Sequence, residues 1–227
     1  MSRPVVETVN LWKSFQLGEV EVEVLMDISI TIKKGEFVSI MGPSGSGKST
    51  LLYLIGGLDK PTSGSIKING KELSGMQDEE ESLLRRRDLG FVFQFYNLIP
   101  NLSVAENIML PVLLDGKNLK REESKLEQIL DDVGLSDRRH HTPRELSGGQ
   151  QQRVAIARAL INEPDIILAD EPIGNLDSKT GTEIMRLLKR INQERGKTII
   201  QVTHSEEAAA YGDRIIHVRD GKVWDVK

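Results

Sequence analysis

Hydrophobic and polar residues alternate with period two through the first part of the chain. Val20, Val22 and Val24 are separated by Glu21 and Glu23, and Ile28, Ile30 and Ile32 by polar or small neighbours. Such alternation predicts short strands of a half-exposed antiparallel sheet. After a turn at Lys34-Gly35 the texture changes. Phe37-Val38-Ser39-Ile40-Met41 is nearly continuous in apolar character, as a strand buried on both faces should be. Two further runs of this kind, Ile166-Ile167-Leu168-Ala169 and Thr198-Ile199-Ile200-Gln201-Val202-Thr203, lie far downstream. Between them Ile184, Leu187, Leu188 and Ile191 share one face of a predicted helix. Buried strand, helix and buried strand predict a parallel sheet with right-handed crossovers, and so an α/β fold.

The middle of the chain has helical punctuation instead. Ser103-Val104-Ala105-Glu106 and Ser147-Gly148-Gly149-Gln150 both match a capping box and predict helix starts. A further helix is expected from Arg121 to Val133, closed by Gly134. These signals predict a single domain over 1–227. Its core and β subdomain occupy about 1–95 and 161–227, and a helical subdomain about 96–160. Near the end, Asp220-Gly221 between residues 215–218 and 223–226 reads as a two-residue hairpin turn.

Composition narrows the classes without choosing among them. The 227 residues carry a net charge of −4, which gives no attraction to nucleic acid or to an anionic membrane face. The absence of cysteine excludes disulfides and thiolate zinc sites. The first ten residues lack the apolar core of a signal peptide, and no apolar run is long enough to cross a bilayer. A membrane role is expected only through a partner.

Three segments carry chemistry. Gly42-Pro43-Ser44-Gly45-Ser46-Gly47-Lys48-Ser49-Thr50 matches G-x-x-x-x-G-K-[ST] between a buried strand and an apolar helix, the context that motif requires. Its glycines let backbone N–H groups turn inward around phosphate, and the helix N-terminus adds partial positive charge. Lys48 would reach the β/γ-phosphates and the Ser49 hydroxyl would ligate Mg²⁺. Asp170 and Glu171 stand at the carboxyl end of a buried strand, the edge where ligands collect in open α/β sheets. Asp170 suits the Mg²⁺ side and Glu171 the activation of a water as general base; a helix-capping acid pair is the plainer alternative. Leu146-Ser147-Gly148-Gly149-Gln150 is a capped helix start whose glycines bare the backbone amides. A monomer with one phosphate loop has no evident need for this second anion-binding device. It reads either as a well-capped helix or as a device serving the phosphate held by another subunit.

LSGGQ lying after the first motif and before the second resembles the signature of the ABC ATPases. The resemblance runs from about Val5 to Val226. It implies a P-loop NTPase fold with a RecA-like parallel-sheet core, an N-terminal antiparallel β subdomain and a helical insertion. It also implies further site residues. Gln94 is similar to the glutamine that contacts Mg²⁺ and the attacking water, and His204 to the switch histidine that senses γ-phosphate. Asp177, in Gly174-Asn175-Leu176-Asp177, is similar to the aspartate that crosses the dimer interface. Phe15 stands where the family usually stacks a tyrosine on adenine. The implied cofactors are ATP and Mg²⁺, and the implied catalytic set is Lys48, Gln94, Glu171 and His204. Ser147, Gly148, Gly149 and Gln150 would be offered to the nucleotide of a second, ATPase subunit, most simply an identical one. An integral membrane permease would be the other partner, placing the chain at the cytoplasmic face of the cell membrane.

Finer resemblance, in residues 90–100 and 171–181, is to the group serving lipoprotein release, macrolide and antimicrobial-peptide export, and cell division. Cell-division work and import remain alternative assignments. Ile173, Ser205 and Phe15 depart from that group's usual residues without removing a catalytic group. Phe95, Tyr96, Leu98, Ile99 and Leu102 read equally as core of the insertion or as a groove for a permease loop. Arg85-Arg86-Arg87 and His140-His141 read as solvated surface, and the acids from Asp78 to Glu81 as support for a helix start. Chromosome-organising heads need a long coiled coil between the two motifs, and only 98 positions separate Lys48 from Leu146. No N-K-x-D motif marks a GTPase.

Overall fold

Two sheets form because the two hydrophobic textures of the chain pair with their own kind. The computed structural model describes residues 3–226; Met1, Ser2 and Lys227, the outermost positions of the expected domain, lie outside the described residues. The first half of the chain contains β1 (Pro4–Leu17), β2 (Val20–Lys33), β3 (Phe37–Met41), α1 (Lys48–Ile55), β4 (Ser63–Ile68), β5 (Lys71–Glu72), α2 (Asp78–Arg87) and β6 (Leu89–Val92). Three helices follow, α3 (Val104–Leu114), α4 (Glu123–Asp132) and α5 (Gly148–Leu160). The chain then returns through β7 (Ile166–Asp170), α6 (Ser178–Arg195), β8 (Thr198–Thr203), the short α7 (Glu206–Ala209), β9 (Arg214–Arg219) and β10 (Lys222–Val226).

The alternating strands make an antiparallel sheet of order β2-β1-β4-β5. The continuously apolar strands β3, β7 and β8 join β6, β9 and β10 in a six-stranded sheet of order β10-β9-β3-β8-β7-β6. In it β6, β7, β8, β3 and β9 run parallel, and β10 closes the edge antiparallel to β9. Burial is nearly continuous along β3, β7 and β8 because both faces are covered, and successive side chains alternate between two cores. Val38, Ile40, Leu168, Ile200 and Val202 point toward a core shared with α1 and the antiparallel sheet. Phe37, Ile167, Ala169 and Ile199 point the other way, into a core completed by α3, α4, α5 and α6. Helix α1 is thus sandwiched between two sheets, with Leu51, Leu52, Leu54 and Ile55 all buried.

Local signals hold closely. Ser103 and Ser147 cap α3 and α5 through complete capping boxes, and Asp220-Gly221 turn the last hairpin with φ of 48° and 71°. The expected helix from Arg121 to Val133 is corrected. A 3₁₀ turn at Leu119–Arg121, capped by Asn118, precedes α4, and Glu122 (φ −97°, ψ 5°) breaks the ladder between them. The arginine run is not simply solvated. Arg85 donates to the Gly57 carbonyl at 2.8 Å and Arg86 to that of Leu114 at 2.6 Å, while Arg87 pairs with Asp115 at 2.8 Å. Those bonds tie α2 to the ends of α1 and α3, a use that sequence spacing could not reveal. His140 is exposed and His141 half-buried, its carbonyl accepting from the Val104 amide.

Strand β6 lies against α5 so closely that only glycine fits at Gly90. A Cβ there would stand 2.5 Å from the Ala159 carbonyl oxygen. Gly90→Ala is expected to destabilise the fold by about 1–3 kcal/mol, the usual cost of overpacking. The check is a lower midpoint of urea unfolding followed by circular dichroism.

Candidate functional site

Parallel strands end at a common edge, and four of them end here in polar residues. β3 runs into residues 42–47, β6 into Gln94, β7 into Asp170 and Glu171, and β8 into His204. Register enforces the alignment: Met41 pairs with Thr203, Asp170 with Val202, and Val92 with Ala169. These ends border a cleft of about 730 Å³ lined by residues 43–45, 47–50, Gln94, Glu171, His204 and Val24.

Gly47, at φ 93°, begins α1 with no side-chain cap and no acid in the first turn. Its amides at the helix start lack intrahelical acceptors and carry the positive end of the dipole, so an anion is the natural partner. A Cβ on Gly47 would stand 2.7 Å from the Val24 carbonyl oxygen, and one on Gly42 2.0 Å from that of Val218. The loop therefore owes its close approach to both strands to glycine. Lys48 is 6% exposed and donates to the Pro43 carbonyl at 2.7 Å. Burial lowers its pKa, against an opposing pull from the carboxylates of Glu171 and Asp170.

Asp170, also nearly buried, accepts from two hydroxyls of α1: Ser49 Oγ at 2.8 Å and Tyr53 Oη at 2.6 Å. Burial and the bond to Asp170 push the Tyr53 phenol up to about 12, so at neutral pH it stays a donor. Glu171 adopts φ 43°, a left-handed conformation that costs an L-residue about 1–2 kcal/mol. Its amide is held by the Val202 carbonyl at 3.0 Å. The carboxylate lies 2.8 Å from His204 Nδ1 and 3.2 Å from Thr203 Oγ1. Because a carboxylate accepts, the imidazole carries its proton on Nδ1 in this pair. Gln94 donates to Asn175 Oδ1 at 3.3 Å, and the Asn175 amide donates back to the Gln94 carbonyl at 2.9 Å. Just beyond it, Tyr96 and Asn97 are left-handed at 60° and 49°. Arg158 of α5 donates to both their carbonyls, at 2.7 and 2.6 Å.

The structure does not bring every expected residue to the cleft. Ser147, Gly148, Gly149 and Gln150 form the tip of α5, outside the cleft lining. Asp177 caps α6, accepting from Thr180 N at 3.0 Å and Thr180 Oγ1 at 2.6 Å, bonds that hold its carboxyl below the usual range. These two features pack on each other: a Cβ on Gly149 would stand 2.3 Å from Thr180 Cγ2. Phe15 does not line the cleft either. Lys13 Nζ sits 4.6 Å from its ring centroid, and the side chain is 40% exposed. Within the aromatic-apolar segment the core reading holds for Leu98, and none of the five residues lines the groove beside α2 and α3. Phe95 (72% exposed) and Ile99 face outward, while Leu98 packs on the core. Sequence reasoning missed Tyr53, Thr203, Asn175 and Val24. Only Tyr53 left a signal, its spacing four residues after Ser49 on the same helix face.

Oxygen and amide donors at Ser49, Asp170 and Gln94 fit a hard cation such as Mg²⁺. No group of three or more His, Asp or Glu able to hold a metal occurs among the described residues.

Comparison with known proteins shows the family and the fold. The sequence profile of the family described as ABC transporter matches residues 25–174. The lipoprotein-releasing system ATP-binding protein LolD of Porphyromonas gingivalis is 48% identical over 96% of this chain and 97% of its own. The macrolide export ATP-binding/permease protein MacB of Bdellovibrio bacteriovorus is 47% identical over 96% of this chain and 33% of its own. A solved structure of the ATP-binding cassette MJ0796 of Methanocaldococcus jannaschii, a dimer in a post-hydrolysis state bound to ADP and Pi, superposes with a TM-score of 0.90. Its identity is 47%, covering 98% of this chain and 97% of that one.

The contact between the α5 tip and the α6 start generates a test. Helix propensity alone favours Ala over Gly by about 1 kcal/mol. Gly149→Ala is nevertheless expected to lower the thermal midpoint, because its methyl meets that of Thr180. Adding Thr180→Ser, which deletes only that methyl, is expected to recover most of the loss, measured by calorimetry on the single and double variants.

Proposed function

The chain belongs to the ABC transporter family of ATP-binding proteins, and from that premise we propose that it binds and hydrolyses ATP as one of two subunits driving a separate membrane permease. One observation carries the two-subunit part: the phosphate-facing cleft and the capped tip of α5 occupy separate places on one molecule. The MJ0796 cassette, at TM-score 0.90, is described as a dimer. In the proposed assembly the tip of α5 (residues 147–150) and Asp177 of each subunit complete the cleft of the other.

Within the cleft, residues 42–50 cradle the triphosphate and Lys48 exchanges its bond to the Pro43 carbonyl for phosphate oxygens. Ser49, Asp170 and Gln94 would hold Mg²⁺, which would supply positive charge to stabilise the phosphoryl group in transfer. Glu171 accepts a proton from the attacking water, and His204 orients the Glu171 carboxylate through Nδ1. The left-handed backbone of Glu171 supports this role, since strain of that kind persists where tertiary contacts hold a group in place. Phe15, with one ring face taken by Lys13 and much of the rest exposed, stacks on the adenine. Closure of two such halves excludes water and assembles the site, so hydrolysis and reopening follow dimer formation.

No helix among the described residues is long and apolar enough to cross a membrane. Attachment to the cytoplasmic face runs through the permease; MacB, of which this chain covers 33%, is named an ATP-binding/permease protein. A groove of about 510 Å³ lined by Phe91, Phe93, Leu110, Leu114, Arg85 and Arg86 lies beside Gln94 and suits a permease loop. Export of a lipoprotein, a drug or an antimicrobial peptide is the transport favoured, in keeping with likeness to LolD and MacB.

Glu171→Gln tests the mechanism. Turnover is expected to fall by roughly 10²–10⁴-fold, the range for losing a general base. ATP binding persists, and gel filtration shows an ATP-dependent dimer. Full turnover in that variant removes Glu171 from its role, and a strictly monomeric ATP-saturated sample removes the shared site.

A further inference from the structure

Ser49 and Tyr53 stand at i and i+4 on α1, so both hydroxyls rise from the same helix face. That face meets a single acceptor group. Ser49 Oγ donates to Asp170 Oδ1 at 2.8 Å, and Tyr53 Oη donates to Asp170 Oδ2 at 2.6 Å. The function proposed above uses Ser49 and Asp170 and gives Tyr53 no part.

A carboxylate's terminal torsion is soft, and one hydrogen bond leaves its plane free to turn. Two donors from one rigid helix fix the plane. We propose that Tyr53 is a positioning residue for the divalent cation: by occupying Oδ2 it keeps Oδ1 on Ser49 and the Ser49 hydroxyl turned to the metal position. Such outer contacts govern metal affinity through the ligands they orient. The proposal rests on the assignment of Asp170 to the cation side of the cleft. The bond also ties α1 to the end of β7, but a purely structural tie would not act on cation affinity selectively.

The test uses the full chain with a non-hydrolysable ATP analogue and Mn²⁺ as a paramagnetic stand-in for Mg²⁺. Tyr53→Phe removes one oxygen and leaves the ring. It is expected to weaken Mn²⁺ binding, read by electron paramagnetic resonance, by roughly tenfold or more. Affinity for the analogue without metal stays unchanged, since Tyr53 acts only through Asp170. In turnover assays the apparent KM for Mg²⁺ rises more than kcat falls. In an Asp170→Ala background the same change is expected to cause no further loss of Mn²⁺ affinity, because the group it positions is gone. Mn²⁺ affinity unchanged by Tyr53→Phe but weakened by Asp170→Ala overturns the proposal and leaves the assignment of Asp170 intact. An equal loss from Tyr53→Phe with and without Asp170 also overturns it. If Asp170→Ala itself leaves Mn²⁺ binding unchanged, the assignment of Asp170 falls and the role of Tyr53 falls with it.

Discussion

Parallel hydrogen bonding between β3, β8, β7 and β6 makes four strands end at one edge, and the chemistry of the molecule is assembled there. Each strand is short and buried on both faces, so a slip of register would turn apolar residues into the wrong core and is strongly resisted. The side chains just past the strand ends inherit that precision. Asp170 and Glu171 lie beside His204 because β7 and β8 are hydrogen-bonded neighbours. The glycine loop lies beside them because β3 is next in order. Burial of α1 between two sheets then holds its uncapped N-terminus against this edge.

Of the non-glycine residues in left-handed conformation, Glu171, Tyr96 and Asn97 lie at or just past that edge, and each is held by a bond from another part of the fold. The Val202 carbonyl of β8 holds Glu171, and the guanidinium of Arg158 on α5 holds Tyr96 and Asn97. Burial lowers the pKa of Arg158, yet the group donates to both carbonyls of the segment following Gln94. A single helix, α5, thus carries the glycine-bearing tip at one end and the clamp on the Gln94 segment toward the other.

The cleft is chemically rich but one-sided. It gathers a buried lysine, a hydroxyl-bound carboxylate and a carboxylate–imidazole pair on the sheet side. The second helix start of the anion-binding kind sits elsewhere, packed on the start of α6. In the proposed dimer, this division makes hydrolysis conditional on assembly.

Much of this was legible in the chain itself. The change from alternating to continuous apolar texture separated the antiparallel sheet from the parallel one. The spacing of Gly42, Gly47, Lys48 and Ser49 announced a phosphate loop, and the serine caps announced α3 and α5. These features are local: each depends on a few neighbouring residues and on periodicity. Pairings between distant segments were not legible. The spacing of Tyr53 from Ser49 puts both on one helix face, but does not show that their shared acceptor is Asp170. Nothing in the arginine run shows that its members close the ends of α1 and α3, and Arg158 gives no local sign of the carbonyls it holds. Those contacts join residues 28 to 117 positions apart, and only the packing of α1, α2 and α5 against the sheets decides them.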